Sequence, residues 1–202
     1  MACSGRGRRS RPTIDGVDMP DIDDLLSTVW MLLDRPLVAV GLVAGCVLLG
    51  AGALLGARRY GWRPVPALLA GLGAALVLAV TLSRNRPDFA SMPGVVSYGE
   101  PFCILDGVSL TGGYELLNVL LFMPFAFFAV IATHRPLSVS VVSVVSSAGI
   151  ELAQTLTGQG VCETQDFLHN AIGIVAAAVL GAAVNTLVGS DRQVDREPVR
   201  HG

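Results

Sequence analysis

The run Leu37 to Ala57 holds no charged residue. At about 1.5 Å of rise per residue, a helix of that length crosses a bilayer core of about 30 Å. Backbone amides in lipid have no water to bond, so such a run must bond internally as a helix. Four further apolar stretches of spanning length follow: Val65 to Leu82, Leu116 to Ala132, Leu137 to Leu156 and Phe167 to Val188. The 202 residues are 52% hydrophobic and 15% charged, where a soluble domain carries about a quarter charged residues. The expected fold class is all-α, a polytopic membrane bundle of about five transmembrane helices. A net charge of −2 at pH 7 argues against nucleic acid as a partner. The partner that composition demands is the lipid bilayer.

Residues 1–20 are charged, carry Gly, Pro and Ser, and show no periodicity, which reads as a disordered N-terminal tail; Met19 offers an alternative start. Residues 21–35 place Ile22, Leu25, Leu26, Val29, Leu32 and Leu33 at helical spacing behind an acidic first turn. This stretch is too short to span and reads as an amphipathic helix lying in the interface. Residues 37–82 hold two spans, the first with Gly41-x-x-x-Gly45 and Gly52-x-x-x-Gly56, small residues that let helices approach. Residues 83–113, with Pro87, Pro93 and Pro101, form an outer loop of a length that is often functional; Cys103-Ile104-Leu105 is a candidate extended piece within it. Residues 115–188 form a three-helix core, and 189–202 a polar C-terminal tail. No internal repeat is visible, which weakens a transporter built on inverted repeats.

Five spans put the termini on opposite sides. Arg58, Arg59, Arg63, Arg135, Arg192, Arg196 and Arg200 share one side, while Arg35, Arg84 and Arg86 flank the membrane on the other. The first side is expected to be cytoplasmic and the N-terminus outside; counting the distant Arg6, Arg8, Arg9 and Arg11 makes the sides equal. The 83–113 loop and the turn 157–165 then face outward. Of the four cysteines, Cys46 reads as a small core residue and none has zinc-site spacing, so no metal or cofactor is expected. Cys103 and Cys162 fall in the two outer loops, in an oxidising compartment. A disulfide tying these loops is one reading and two unrelated small residues the other, because sequence does not fix the Cα separation of about 4.4–6.8 Å that a disulfide needs.

Polar residues inside the spans are few and concentrated. On the third span Glu115 and Asn118 share a face at i, i+3, and Pro124 frees the carbonyl of Leu120, which is expected to kink the helix. On the fourth, Ser143, Ser147, Glu151 and Gln154 form one continuous polar face. Glu151 lies about 7–8 Å inward of the end at Leu156. An acid at that depth must point into the bundle and find a donor, or keep its proton. On the fifth, Asp166 reads as an N-cap, Asn170 follows on its face, and Gly173 continues that face as a packing seam. His169 lies about 60° away on the helical wheel and faces either the site or the headgroups. Alternating spans bring Glu115, Asn118, Glu151, Gln154, Asp166 and Asn170 to the same end of the bundle, a candidate outward polar pocket. The bland reading is a structural network of interhelical hydrogen bonds, each worth about 0.6 kcal/mol on average, with Asp166 a cap and His169 interfacial.

The motifs themselves resemble the signature of the VanZ-like family of bacterial integral membrane proteins. That pattern is matched by Asn118, Phe122, Pro124 and Phe125, then Glu151 and Gln154, then Asp166, then Asn170 and Gly173, in order and spacing, over about Glu115 to Val188. Span two would correspond to the family's first helix. Two departures stand out: Gln165 occupies a position where the family commonly has a second Asp beside Glu163, and Gly160 and Val161 replace an Arg. A divalent-metal role that needs the full acidic turn is therefore not supported. The resemblance implies a protein of the bacterial envelope, and the family's namesake is associated with resistance to the glycopeptide teicoplanin.

Three functions compete on these residues. The first is a non-catalytic pocket that binds an amphiphile, a lipid-linked cell-wall precursor, a glycopeptide or a partner helix. The second is a membrane-embedded enzyme acting on a lipid headgroup, with Glu151 as general base and Asp166 or His169 assisting. No catalytic residue is assigned, because no nucleophile is paired with a base. A small-solute transporter ranks last. Oligomeric state is not legible in the chain.

Overall fold

The computed structural model describes residues 13–14, 17–18, 30, 36–82, 103–104, 113–157 and 162–194. Five helices account for nearly all of them: α1 (Pro36–Tyr60), α2 (Pro64–Leu82), α3 (Gly113–Thr133), α4 (Pro136–Leu156) and α5 (Thr164–Val194). Each is long and apolar enough to cross a membrane. Every expected span is present, extended at its ends by a few residues. The reason is visible at three starts, where α1, α2 and α4 begin on the proline of an Arg-Pro pair. Proline at the first helical position already has the required φ, and the hydrogen it lacks had no partner there.

The turns between helices are set locally. α1 ends in a left-handed glycine, Gly61 at φ 70°, and the amide of Trp62 bonds back to the carbonyl of Ala57 at 3.0 Å. With Trp62 packed beside Ala57, this is a Schellman closure with its apolar clasp. α3 ends at His134, which takes φ 57° and returns its amide to Val130 at 2.8 Å.

The helices pack in the order α1–α2–α3–α5–α4, with α4 also touching α3 and, lightly, α2. α3 and α5 run parallel and in contact along their length. Their core, with one contribution from α2, is Val77, Phe122, Ala126, Ile174 and Ala177. Lipid gives no hydrophobic drive to join helices, so close van der Waals approach must hold them. Glycines supply it. A Cβ on Gly173 would collide with the backbone carbonyl of Val119, and one on Gly73 would lie 2.8 Å from the amide nitrogen of Phe125. The GxxxG pairs of α1 are only half used. Gly45 faces Ala75 and Gly56 the Trp62 ring, whereas Gly41 and Gly52 meet nothing within 4 Å. The outer flanks of α1 and α4 expose Val43, Val47, Leu48, Leu137, Val141 and Val145, as lipid-facing surfaces do.

Two short ladders complete the described residues. β1 (Thr13–Ile14) pairs antiparallel with β2 (Val17–Asp18), so the 1–20 segment, expected to lack regular structure, contains one two-stranded ladder. β3 (Cys103–Ile104) pairs in parallel with β4 (Cys162–Glu163), joining the extended piece expected in the outer loop to the residues that precede α5. Of the expected interfacial helix 21–35, only Trp30 is described; it is helical and exposed. The remainder lies outside the described residues, as does most of the 189–202 tail.

The glycine seam carries a direct test. Gly173→Ala should destabilise the protein by about 1–3 kcal/mol, the usual cost of overpacking against an atom that cannot yield. Gly149→Ala, where a Cβ meets nothing within 4 Å, should change stability by no more than about 0.5 kcal/mol. Thermal unfolding in detergent distinguishes the two, and equal behaviour would rule out a close α3–α5 approach.

Candidate functional site

On α4 the buried residues are Ser143, Ser147, Glu151 and Gln154. The fully buried part of its inward face is thus polar, while Val139, Val144 and Ile150 pack partly buried against the core and Leu137, Val141, Val142 and Val145 turn outward. This inverts the arrangement of a water-soluble amphipathic helix, because here the surrounding solvent is lipid. Ser143 satisfies itself by donating to the carbonyl of Val139 at 2.7 Å. Ser147 accepts from Asn170 Nδ2 on α5 at 3.2 Å. Glu151 is 9% exposed, with Ser147 one turn deeper and Gln154 nearer the membrane face.

Gln154 makes an interhelical hydrogen bond, one of the two roles open to it in the sequence. Its Nε2 donates to the backbone carbonyl of Thr81 at 2.6 Å. That carbonyl lies in the last turn of α2, where no intrahelical donor is left to reach it. Gln154 therefore closes the end of α2, a structural role that locks α4 to α2.

Asn118 and Asp166 do meet. The Asn118 amide donates to Asp166 Oδ1 at 2.5 Å, joining the tops of α3 and α5. Because α5 starts at Thr164, Asp166 sits inside its first turn and is not the N-cap that the sequence implied. A carboxylate is favoured there by the helix dipole, and its oxygen serves α3. Asn118 (6% exposed) and Asn170 (5%) are both buried.

His169 takes the inward of the two directions that its place on the helical wheel allowed. It is fully buried, not turned to the headgroups, and neither ring nitrogen has a hydrogen-bond partner among the described residues. Asn170 Oδ1 is also unpartnered. Buried polar atoms are nearly always bonded, and exceptions point to water, ligand or chemistry. The sequence signal for His169 is its angle of about 60° from Asp166 on the helical wheel, which leaves both directions open. Ser147 was legible only as part of the α4 stripe.

The remaining predicted positions contribute less. The Glu115 side chain lies outside the described residues. Pro124 is exposed and sits about 120° around α3 from Asn118, so it does not line the site. α3 continues through it to Thr133. Gly173 acts in packing, as expected. Among the described residues no three His, Cys, Asp or Glu side chains gather to hold a metal.

At the other end of the bundle lies a second polar cluster that the sequence did not reveal. Arg63 Nη1 donates to Asn185 Oδ1 at 3.4 Å, and Asn185 Nδ2 donates to the carbonyl of Val130 at 3.0 Å. The Arg63 amide bonds the Ala132 carbonyl at 3.2 Å. This clamp joins α2, α3 and α5. Beside it Tyr60 stacks on Trp62, ring centroids 5.2 Å apart, and Arg59 lies 5.8 Å over the Tyr60 ring. Exposed Arg58, Arg59 and Arg135 make this end basic.

The Asn118–Asp166 bond should register in a double-mutant cycle. Replacing both by Ala should give a coupling energy of about 1–2 kcal/mol, near the upper end for membrane hydrogen bonds. Pairing Asn118→Ala with Asn185→Ala, at the opposite end, should be additive within about 0.5 kcal/mol. Unfolding in mixed micelles measures both, and no excess coupling for the first pair would remove the bond.

Comparison with known proteins agrees with the motif reading. Neither the curated proteins nor the solved structures yielded a match. A family model described as VanZ/LLP1 matches residues 79–185, just over half of the chain. The match enters at the last turn of α2, so α1 and nearly all of α2 lie outside it. It is the loop and the α3–α5 unit, with the whole polar constellation, that carry the resemblance; the expected equivalence of span two with a family helix is not part of it. By this match, together with five membrane-spanning helices, the chain is a multi-pass membrane protein that belongs to the VanZ/LLP1 family.

Proposed function

We propose that the polar face between α3, α4 and α5 is a binding site for the polar headgroup of an amphiphile, a lipid-linked cell-wall precursor being the class best suited to it. The observation that carries this reading is the inward face of α4, where all four buried residues are polar. Structural bonds account for Ser143 and Gln154. The part of the face nearest α5 is left with an imidazole and an amide oxygen that have no partner among the described residues. Buried polar groups are costly in lipid unless something bonds them. A hydroxyl- or amide-bearing headgroup offers both donors and acceptors for His169 and Asn170. In this reading Glu151 and Asp166 position donors, while Asn118 holds Asp166 in place.

The site lies within one turn or two of the membrane face. A ligand can therefore enter with its headgroup in the site and its chain alongside the lipid-facing flank of α4. The basic clamp end, with Arg58, Arg59 and Arg135, fits the cytoplasmic side, which turns the polar site outward, where envelope precursors and glycopeptides are found. A link to glycopeptide response follows from family association and rests on that alone.

The protein purified in mild detergent is expected to retain a lipid detectable by mass spectrometry. Glu151→Gln keeps the shape and removes one acid. It should leave membrane abundance near normal and lower lipid retention about tenfold or more, the effect of losing a hydrogen bond to a charged group. Thr157→Ala, on an exposed position, should retain lipid normally. Full retention by Glu151→Gln, or no lipid on the unaltered protein, would end this reading.

A further inference from the structure

We propose that Cys103 and Cys162 are joined by a disulfide that covalently closes the chain segment holding α3 and α4. The observation is a backbone one. β3 and β4 pair in parallel with Cys103 directly opposite Cys162 and Ile104 opposite Glu163. Adjacent strands lie about 4.8 Å apart, which falls inside the roughly 4.4–6.8 Å Cα window that a disulfide requires. Two-residue strands offer few ladder bonds, so a two-stranded pairing this short is marginal without another constraint. A crosslink at the paired position supplies that constraint.

The placement gives the bond a consequence for the polar site. Cys162 stands two residues before Thr164, where α5 begins, and Asp166 lies in the first turn of that helix. Cys103 belongs to the loop that leads into α3, which carries Asn118. The crosslink therefore ties together the two approaches to the Asn118–Asp166 contact. It limits how far the ends of α3 and α5 can separate.

Oxidation removes two electrons and two protons from the two thiols. The oxidant is the disulfide of an envelope thiol–disulfide carrier. One cysteine thiolate attacks it, forming a mixed disulfide and releasing one carrier thiol. The second cysteine thiolate then displaces the other carrier sulfur, leaving the Cys103–Cys162 bond and a carrier dithiol that holds both protons.

This inference rests on the outward orientation proposed above, and one labelling experiment separates the two. Intact cells are treated with a membrane-impermeant maleimide without reductant. They are then permeabilised, treated with a permeant light maleimide, denatured, reduced and labelled with a heavy maleimide before peptide mass spectrometry. The expected result is heavy label on both Cys103 and Cys162, with a linked peptide joining them in an unreduced sample. Cys103→Ser should raise labelling of Cys162 by the impermeant reagent at least tenfold. If both thiols of the unaltered protein react with the impermeant reagent, the disulfide is overturned and the orientation stands. If both react only after permeabilisation, the orientation fails and the disulfide with it. A linked peptide that joins either cysteine to a different one also overturns the proposal.

Discussion

Everything in this bundle answers to the burial of one polar helix face in a lipid solvent. α4 presents Ser143, Ser147, Glu151 and Gln154 inward and Leu137, Val141, Val142, Val145, Leu152 and Leu156 outward. In lipid, outward apolar residues cost nothing, and each inward polar atom is costly unless something bonds it. The other helices are placed accordingly. The carbonyl of Thr81 on α2 receives Gln154, and Asn170 on α5 bonds Ser147. α4 is therefore held by directional bonds at its polar face, beside the packing of Val139, Val144 and Ile150 against the core.

The other helices are held together by close backbone approach. α3 and α5 run parallel in a seam where Gly173 lies against the backbone of Val119 and Gly181 approaches Phe127 and Val130. α2 joins the same unit where Gly73 reaches the backbone of Phe125. Each end of this unit is pinned by an Asn that crosses from one helix to another: Asn118 to Asp166 at one end, and Asn185 to Val130 at the other. α4 joins this α2–α3–α5 frame through Gln154 and Ser147, which bond to α2 and α5. α1, attached chiefly through α2 and outside the family match, is a peripheral addition to that frame.

The family assignment and the geometry converge on the same residues from different directions. The matched region 79–185 contains Asn118, Ser147, Glu151, Gln154, Asp166, His169 and Asn170. Within that set the structure divides labour that the motif does not. Gln154 ends α2, and Asn118 orients Asp166. His169 and the Asn170 oxygen are left as the groups around which a binding role is argued. His169 is the most informative of these, because a fully buried imidazole with no partner among the described residues is a feature that a purely structural network does not require.

The amino-acid sequence by itself determined the number of spans, their limits to within a few residues and the polar face of α4. These are properties of single helices in lipid. Span length follows from the absence of charge, starts follow from Arg-Pro pairs, and a polar stripe follows from spacing along one axis. It also placed the site residues at one end of the bundle, since alternating spans leave no other arrangement. Only the tertiary structure decided which groups meet. Apolar helix faces are interchangeable to a bilayer, so helix order and rotation are not written in any one segment. For that reason Gln154 could be recognised as polar but not as the partner of Thr81. Asn185 passed unnoticed until Arg63 stood beside it. Asp166 reads as a cap in the sequence but α5 begins at Thr164, and of the two directions open to His169 packing selects the buried one.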